Sequence, residues 1–207
     1  MPFWIHEGIN TYAEALYVEK KYDYKTANNF INKKFKSLIK NNKAIVPAAN
    51  EDIKFFEDND VYYKSAYLLN TLRYLIGESV LHESLKEFLY MPKESEVNQT
   101  NTEEFISLIE ENSKLDLDWF FDHYFKNKNL PTLIIREKVI KEKKFIDIRW
   151  EEKNFKMPIT INYISFDGLR EKRVALNNIY KRIVIPKTSD LIFCLLYTSD
   201  AADDLVC

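Results

Sequence analysis

Apolar residues recur every three or four positions through roughly the first 130 residues and every second position afterwards. The chain therefore changes from helical to extended character at Pro131. Residues 5–22 set Ile9, Tyr12, Ala13 and Leu16 on one helical face and Glu7, Thr11, Glu14 and Val18 on the other. Residues 26–40 repeat the pattern with Phe30, Ile31, Phe35, Leu38 and Ile39, and residues 44–60, which include Pro47, read as a connection. A third helix spans 61–77, with Ala66, Leu69, Leu72, Leu75 and Ile76 as apolar positions and Gly77 as its stop. Residues 79–90 form another, ahead of a polar loop over 92–100. Thr102 is the expected N-cap of the next helix, with Glu103 and Glu104 at its positive end. The last helix, 117–125, is dense in aromatics: Trp119, Phe120, Phe121, Tyr124 and Phe125.

Beyond Pro131 the segments 132–139, 145–150, 158–166, 170–176 and 181–186 read as strands. The clearest alternation is Phe145-Ile146-Asp147-Ile148-Arg149-Trp150, and Asp167-Gly168 signals a hairpin. Consecutive antiparallel strands of this length suggest a sandwich. The expected fold class is α+β, a helical domain over 1–131 followed by a small antiparallel β-sandwich-like domain over 132–193.

Composition narrows the chemistry. The 207 residues suit one large domain or two small ones, and 30 basic against 32 acidic residues predict no long-range field, which demotes nucleic acid as a partner. Three glycines, Gly8, Gly77 and Gly168, exclude a Gly-rich phosphate loop. His6, His82 and His123 are far apart, with no pair at ligand spacing. Both cysteines, Cys194 and Cys207, fall at the end of the chain and build neither a disulfide framework nor a cysteine zinc site. No apolar run approaches the roughly 20 residues of a bilayer span, and the first residues lack the layout of a signal peptide.

Glu7 and Glu14 stand two turns apart on one helix. On spacing alone they read as a solvated face, the alternative being a metal ligand and a carboxylate that orients it. His6 adjoins Glu7 in sequence but points about 100° away on a helix. Any one of the 13 tyrosines, taken alone, reads as core or surface.

The order of motifs changes this picture. Trp4, Glu7, Gly8, Thr11, Tyr12 and Glu14 resemble the W-x-x-E-G-x-x-x-Y-x-E segment of the aminopeptidase N-like gluzincins, peptidase family M1, with His6 where Asn is common. Downstream, Tyr62-Tyr63-Lys64-Ser65 is similar to that family's Y-x-K-G block, with Ser65 in place of Gly, and residues 69–77 resemble its L-x-x-L-R-x-x-x-G helix. A weaker likeness runs from Leu115-Asp116-Leu117-Asp118-Trp119-Phe120-Phe121 to Leu130-Pro131-Thr132-Leu133; the aromatic run reads equally as a plain core helix. The resemblance implies the helical C-terminal part of a gluzincin catalytic domain and then its β domain.

It further implies a zinc-dependent aminopeptidase acting on peptide substrates through a metal-activated water. Glu7 would be a zinc ligand, Tyr62 the catalytic tyrosine that donates to the oxyanion, and Glu14 an orienting carboxylate behind the ligand. One Zn2+ is expected per complete protein. The family signature places H-E-x-x-H about 18 residues ahead of the ligand glutamate, which falls before Met1. The chain holds no such motif, since His82-Glu83-Ser84-Leu85-Lys86 ends in lysine. The expectation is a fragment that is inactive alone. A non-catalytic scaffold of the same family, serving as a binding or assembly module, is the alternative. Relatives with the W-I-H-E-G wording are often exported bacterial proteins, while the compartment of this one stays open. Residues 194–207 resemble a translated sequencing adaptor and are expected to be a non-native tail that carries both cysteines.

Overall fold

The computed structural model describes residues 2–46, 59–90, 101–165, 167–189 and 191–194. The expected loop over 92–100, most of the connection 44–60 and nearly all of the tail lie outside them. Two compact units divide between Asn129 and Leu130.

In the first unit, α1 (Phe3–Lys21) packs along α4 (Asp60–Ile76). Between them run α2 (Tyr24–Phe30), a π-helical turn (Ile31–Phe35) and the short α3 (Lys36–Leu38); α5 (Glu78–Tyr90), α6 (Thr102–Ser113) and α7 (Asp118–Lys126) follow. The π turn falls inside the second expected helix and leaves Ile31 and Phe35 buried, with Phe30 and Leu38 only partly covered. α4 is the central element: from Val61 to Arg73 only Tyr62 and Tyr63 keep appreciable exposure. It ends at Gly77, whose φ of 95° is open to glycine at little cost.

The buried stripe of α1 differs from the expected one. Trp4, Ile5, Gly8, Thr11, Tyr12 and Ala15 face inward, whereas Ile9 and Leu16 are half-buried and Ala13 is exposed. Small side chains at positions 8, 11 and 15 let α1 lie close to α4, and that close approach outweighs the pull of two aliphatic residues. The cap of α6 also differs: Asn101, not Thr102, accepts from the Glu104 N–H at 2.7 Å, in a capping box. Thr102 instead receives the Trp4 indole N–H at 3.0 Å. Trp4 meets Phe105 edge-on and Phe125 at a tilt, with centroids 5.3 and 4.7 Å apart, and Phe120, Phe121 and Tyr124 are buried in the same unit. The aromatic run of α7 is core.

The three charged side chains buried on α4, Asp60, Lys64 and Arg73, all have partners. The Asp60 carboxylate accepts the N–H groups of Lys40 at 2.6 Å and Asn42 at 2.8 Å, and Lys64, 1% exposed, donates to the carbonyls of Lys43 and Lys128. At the other end, Arg73 bridges Glu19 of α1, at 2.5 and 2.8 Å, and Glu78 of α5, at 2.5 Å. The bond to Arg73 holds the Glu19 carboxyl below its usual range, against an opposing effect of burial. A carboxyl depressed in the folded state stabilises fully above its unfolded pKa, and that stabilisation is lost as pH falls through the folded value. Arg73→Met is therefore expected to cost roughly 2 kcal/mol at neutral pH, less than a fully buried pair because Glu78 is largely exposed. It should also flatten the acid limb of stability, and urea unfolding between pH 7 and 3 measures both. A variant that kept the wild-type acid limb would show that Arg73 does not set the Glu19 titration.

In the second unit, β1 (Leu133–Ile140), β2 (Lys143–Trp150) and β5 (Lys181–Pro186) form one antiparallel sheet. β3 (Ile159–Ser165), flanked by β4 (Gly168–Val174) and β6 (Leu191–Cys194), forms the other. Ser165 pairs with Gly168 across the expected hairpin. Ile146, Ile148 and Trp150 of β2, Ile183 and Ile185 of β5, and Ile159 and Ile161 of β3 are buried, and β3 packs on β5. The Trp150 indole donates to the Met157 carbonyl at 2.7 Å and meets Phe155 edge-on at 4.9 Å. These faces make the sandwich, and the class is α+β.

Candidate functional site

The site begins with a contact between two helices. A Cβ built on Gly8 would lie 2.4 Å from the Ser65 Cβ, closer than side-chain carbons ever sit. Only a residue without a Cβ fits at position 8, so α1 and α4 cross nearly backbone to backbone at this point. Glu7 precedes Gly8, and Tyr62 lies one turn before Ser65. The crossing thus sets a carboxylate and a phenol on facing turns of the two helices, near enough for the Glu7 charge to act on Tyr62.

Both side chains are partly open to solvent. The Glu7 side chain is 23% exposed, and its Oε1 lies 3.0 Å from Nδ1 of His6. The ring of His6, expected to diverge from Glu7, turns back to it. Tyr62 packs edge-on against Phe3, with centroids 5.7 Å apart and planes at 89°. Partial desolvation first, and the Glu7 charge second, push the Tyr62 phenol above its ordinary pKa, so it stays a hydrogen-bond donor at neutral pH. Glu14 lies farther along α1, exposed, and pairs with Lys34 at 3.1 Å. The structure therefore brings Glu7 and Tyr62 together and leaves Glu14 in an ion pair of its own.

Three participants carried no distinct signal in the sequence reading. Phe3 fixes the Tyr62 ring, and its role needs the helix crossing to be visible. Gly8 is legible as part of a motif, and a glycine inside a helix also signals close packing. Lys64, in the same block as Tyr62, ties α4 to the carbonyls of residues 43 and 128 and so fixes where Tyr62 stands.

Among the described residues no three His, Cys, Asp or Glu side chains converge as a metal-binding group. Glu7, a hard oxygen donor partly open to solvent, suits zinc as one ligand, but the described residues do not complete a tetrahedral set. No described helix is long and apolar enough to cross a membrane.

The aminopeptidase A of Legionella pneumophila, solved in complex with aspartic acid, has a similar structure, with a TM-score of 0.65 at 17% identity over 88% of this chain. The match takes in 22% of that chain, so this chain spans about a fifth of the neighbour's length. None of the curated protein sequences matches it. Residues 1–124 match the model of the peptidase family M1 domain. That match holds all of α1 and α4 and covers more than half of the sequence, and the chain belongs to peptidase family M1.

Proposed function

We propose that this chain is part of a zinc-dependent aminopeptidase, in which Glu7 supplies one metal ligand and Tyr62 the hydrogen bond to the oxyanion. The observation that carries this reading is the pairing of Glu7 and Tyr62 across the Gly8–Ser65 crossing. A helix crossing needs neither a half-open carboxylate nor a half-open phenol; hydrolysis of a peptide bond uses both. Zinc, when bound, would lower the pKa of a water and polarise the scissile carbonyl. Tyr62, protonated and held by Phe3, would donate its phenolic hydrogen to the oxygen that gains charge in the transition state. Glu7 would contribute negative charge and one oxygen to the metal. Glu14 would steady the ligand helix through Lys34 and touch no reacting atom.

The substrates on this reading are peptides, shortened from their amino end. Among the described residues the site offers one carboxylate donor, and the chain alone is expected to retain no stoichiometric zinc and to hydrolyse no aminoacyl-nitroanilide. Elemental analysis and a turnover assay on purified 1–207 check this, and zinc-dependent turnover by that chain would show that the metal site lies elsewhere. The coding sequence upstream of Met1 tests the reading itself. It should encode H-E-x-x-H with its second histidine roughly 19 positions before Glu7. An open frame that continues without that motif would sink the peptidase assignment.

A further inference from the structure

The near balance of charge conceals a segregation. Residues 1–129 hold 16 Lys and Arg against 21 Asp and Glu, a net −5, whereas residues 130–194 hold 14 against 8, a net +6. The sandwich is thus a basic module within a nearly neutral chain, and strand register shows where part of that charge collects. Because Ile146, Ile148 and Trp150 of β2 are buried, the alternate residues Lys143, Phe145, Asp147 and Arg149 lie on the other face. Their cross-strand partners are Ile140, Lys138, Arg136 and Ile134 on β1, and Pro186, Val184 and Arg182 on β5 opposite the first three. The face therefore carries five cations, Arg136, Lys138, Lys143, Arg149 and Arg182, against one carboxylate, Asp147.

That carboxylate is already engaged. Arg182 grips Asp147 with two bonds of 2.7 Å, which pulls the Asp147 carboxyl below its usual range. Arg136 and Arg149 lie over the Tyr180 ring, at 4.6 and 5.0 Å from its centre, so one aromatic plane holds both guanidinium groups. The same face exposes Ile140 at 45% and Val184 at 47%, and Ile179, next to Tyr180 in sequence, is 69% exposed.

We infer that this outer face of the β1-β2-β5 sheet docks an acidic polypeptide segment whose carboxylates are interleaved with apolar residues. Two guanidinium groups fixed on a tyrosine are preorganised for bidentate bonds to carboxylates, which costs less side-chain entropy than free lysines would. Arginine, tyrosine and exposed aliphatics together have the composition of the centre of a protein interface. A single-stranded nucleic acid needs aromatic planes on which its bases stack, whereas here Tyr180 already carries Arg136 and Arg149 and Phe145 carries Arg182. The sign of the face fixes the sign of the partner, and the aliphatics fix its class. The inference does not depend on the metal-ligand reading of Glu7.

The test is fluorescence anisotropy with the full chain and a fluorescein-labelled peptide of repeating Glu-Glu-Leu. Binding is expected at low salt, weakening as salt rises. The Gln-Gln-Leu counterpart should bind at least tenfold more weakly, and so should Glu-Glu-Leu to the Arg136→Ser, Arg149→Ser double variant. Arg170→Ser, which removes an exposed cation paired with Asp167 on the other sheet, should leave binding unchanged. If the double variant does not fold, Lys138→Ser with Lys143→Ser carries the same expected loss. Absence of binding to Glu-Glu-Leu, an equal loss in Arg170→Ser, or tighter, variant-sensitive binding of an oligothymidylate would each overturn the proposal.

Discussion

Tyr62→Phe, placed in the full-length protein, is expected on the proposed reading to lower kcat by about 100-fold or more, as loss of an oxyanion donor does, while zinc content and KM stay near wild type. Glu7→Ala is expected to lose the metal and, with it, turnover. The division follows from what each side chain can do. Phenylalanine keeps the edge-on contact with Phe3 and deletes only the hydroxyl, so the Tyr62 variant tests chemistry without disturbing the fold. Among the described residues Glu7 is the carboxylate whose charge acts on that phenol, and alanine removes its oxygen donors. Elemental analysis of both proteins, read alongside steady-state kinetics, distinguishes the roles. Equal metal loss in the two variants would mean that Tyr62 supports the binding site, and the oxyanion assignment would fall.

Much of this arrangement is legible in the sequence. The α4 helix and its stop at Gly77 follow from period and a glycine, and the β3–β4 hairpin from Asp167-Gly168. The inward face of α1 was not legible from hydropathy, because Gly8, Thr11 and Ala15 score as weak core residues whereas Ile9 and Leu16 score as strong ones. Close helix packing selects for size rather than hydropathy, and size matters only once a partner helix is known. Thr102 is a good N-cap by type, but Asn101 has the Glu three residues on that completes a capping box. The π turn at 31–35 leaves no compositional mark. Glu7 and Tyr62 were singled out by the order of two motifs, and no periodicity would have paired them. Net charge gives the least help: the total of −2 combines an acidic helical unit, a basic sandwich and the three aspartates of residues 195–207.

The helix crossing makes the sharpest demand on the sequence, and substitutions there test whether it positions the site. Gly8→Ala adds a Cβ that would sit 2.4 Å from the Ser65 Cβ, a carbon fixed to its own helix and unable to rotate away. The helices must part, at a cost of about 1–3 kcal/mol, opposed by the gain of roughly 1 kcal/mol that alanine brings to a helix over glycine. Separation also moves Glu7 relative to Tyr62, and a displacement near 1 Å is enough for about a 100-fold loss of turnover. Ser65→Gly removes the obstructing carbon, so Gly8→Ala with Ser65→Gly should recover both stability and turnover relative to Gly8→Ala alone. Ser65→Ala is the control. It keeps the Cβ and deletes a buried hydroxyl that has no hydrogen-bond partner among the described residues, so it should be neutral or stabilising by itself yet fail to rescue. A double-mutant cycle from urea unfolding should therefore show coupling of about 1–3 kcal/mol between positions 8 and 65 for the glycine substitution and little for the alanine. Rescue by Ser65→Ala as well would place the clash at the hydroxyl, whereas a neutral Gly8→Ala would mean that the helices have room to spare and that the pairing of Glu7 with Tyr62 is set by something else.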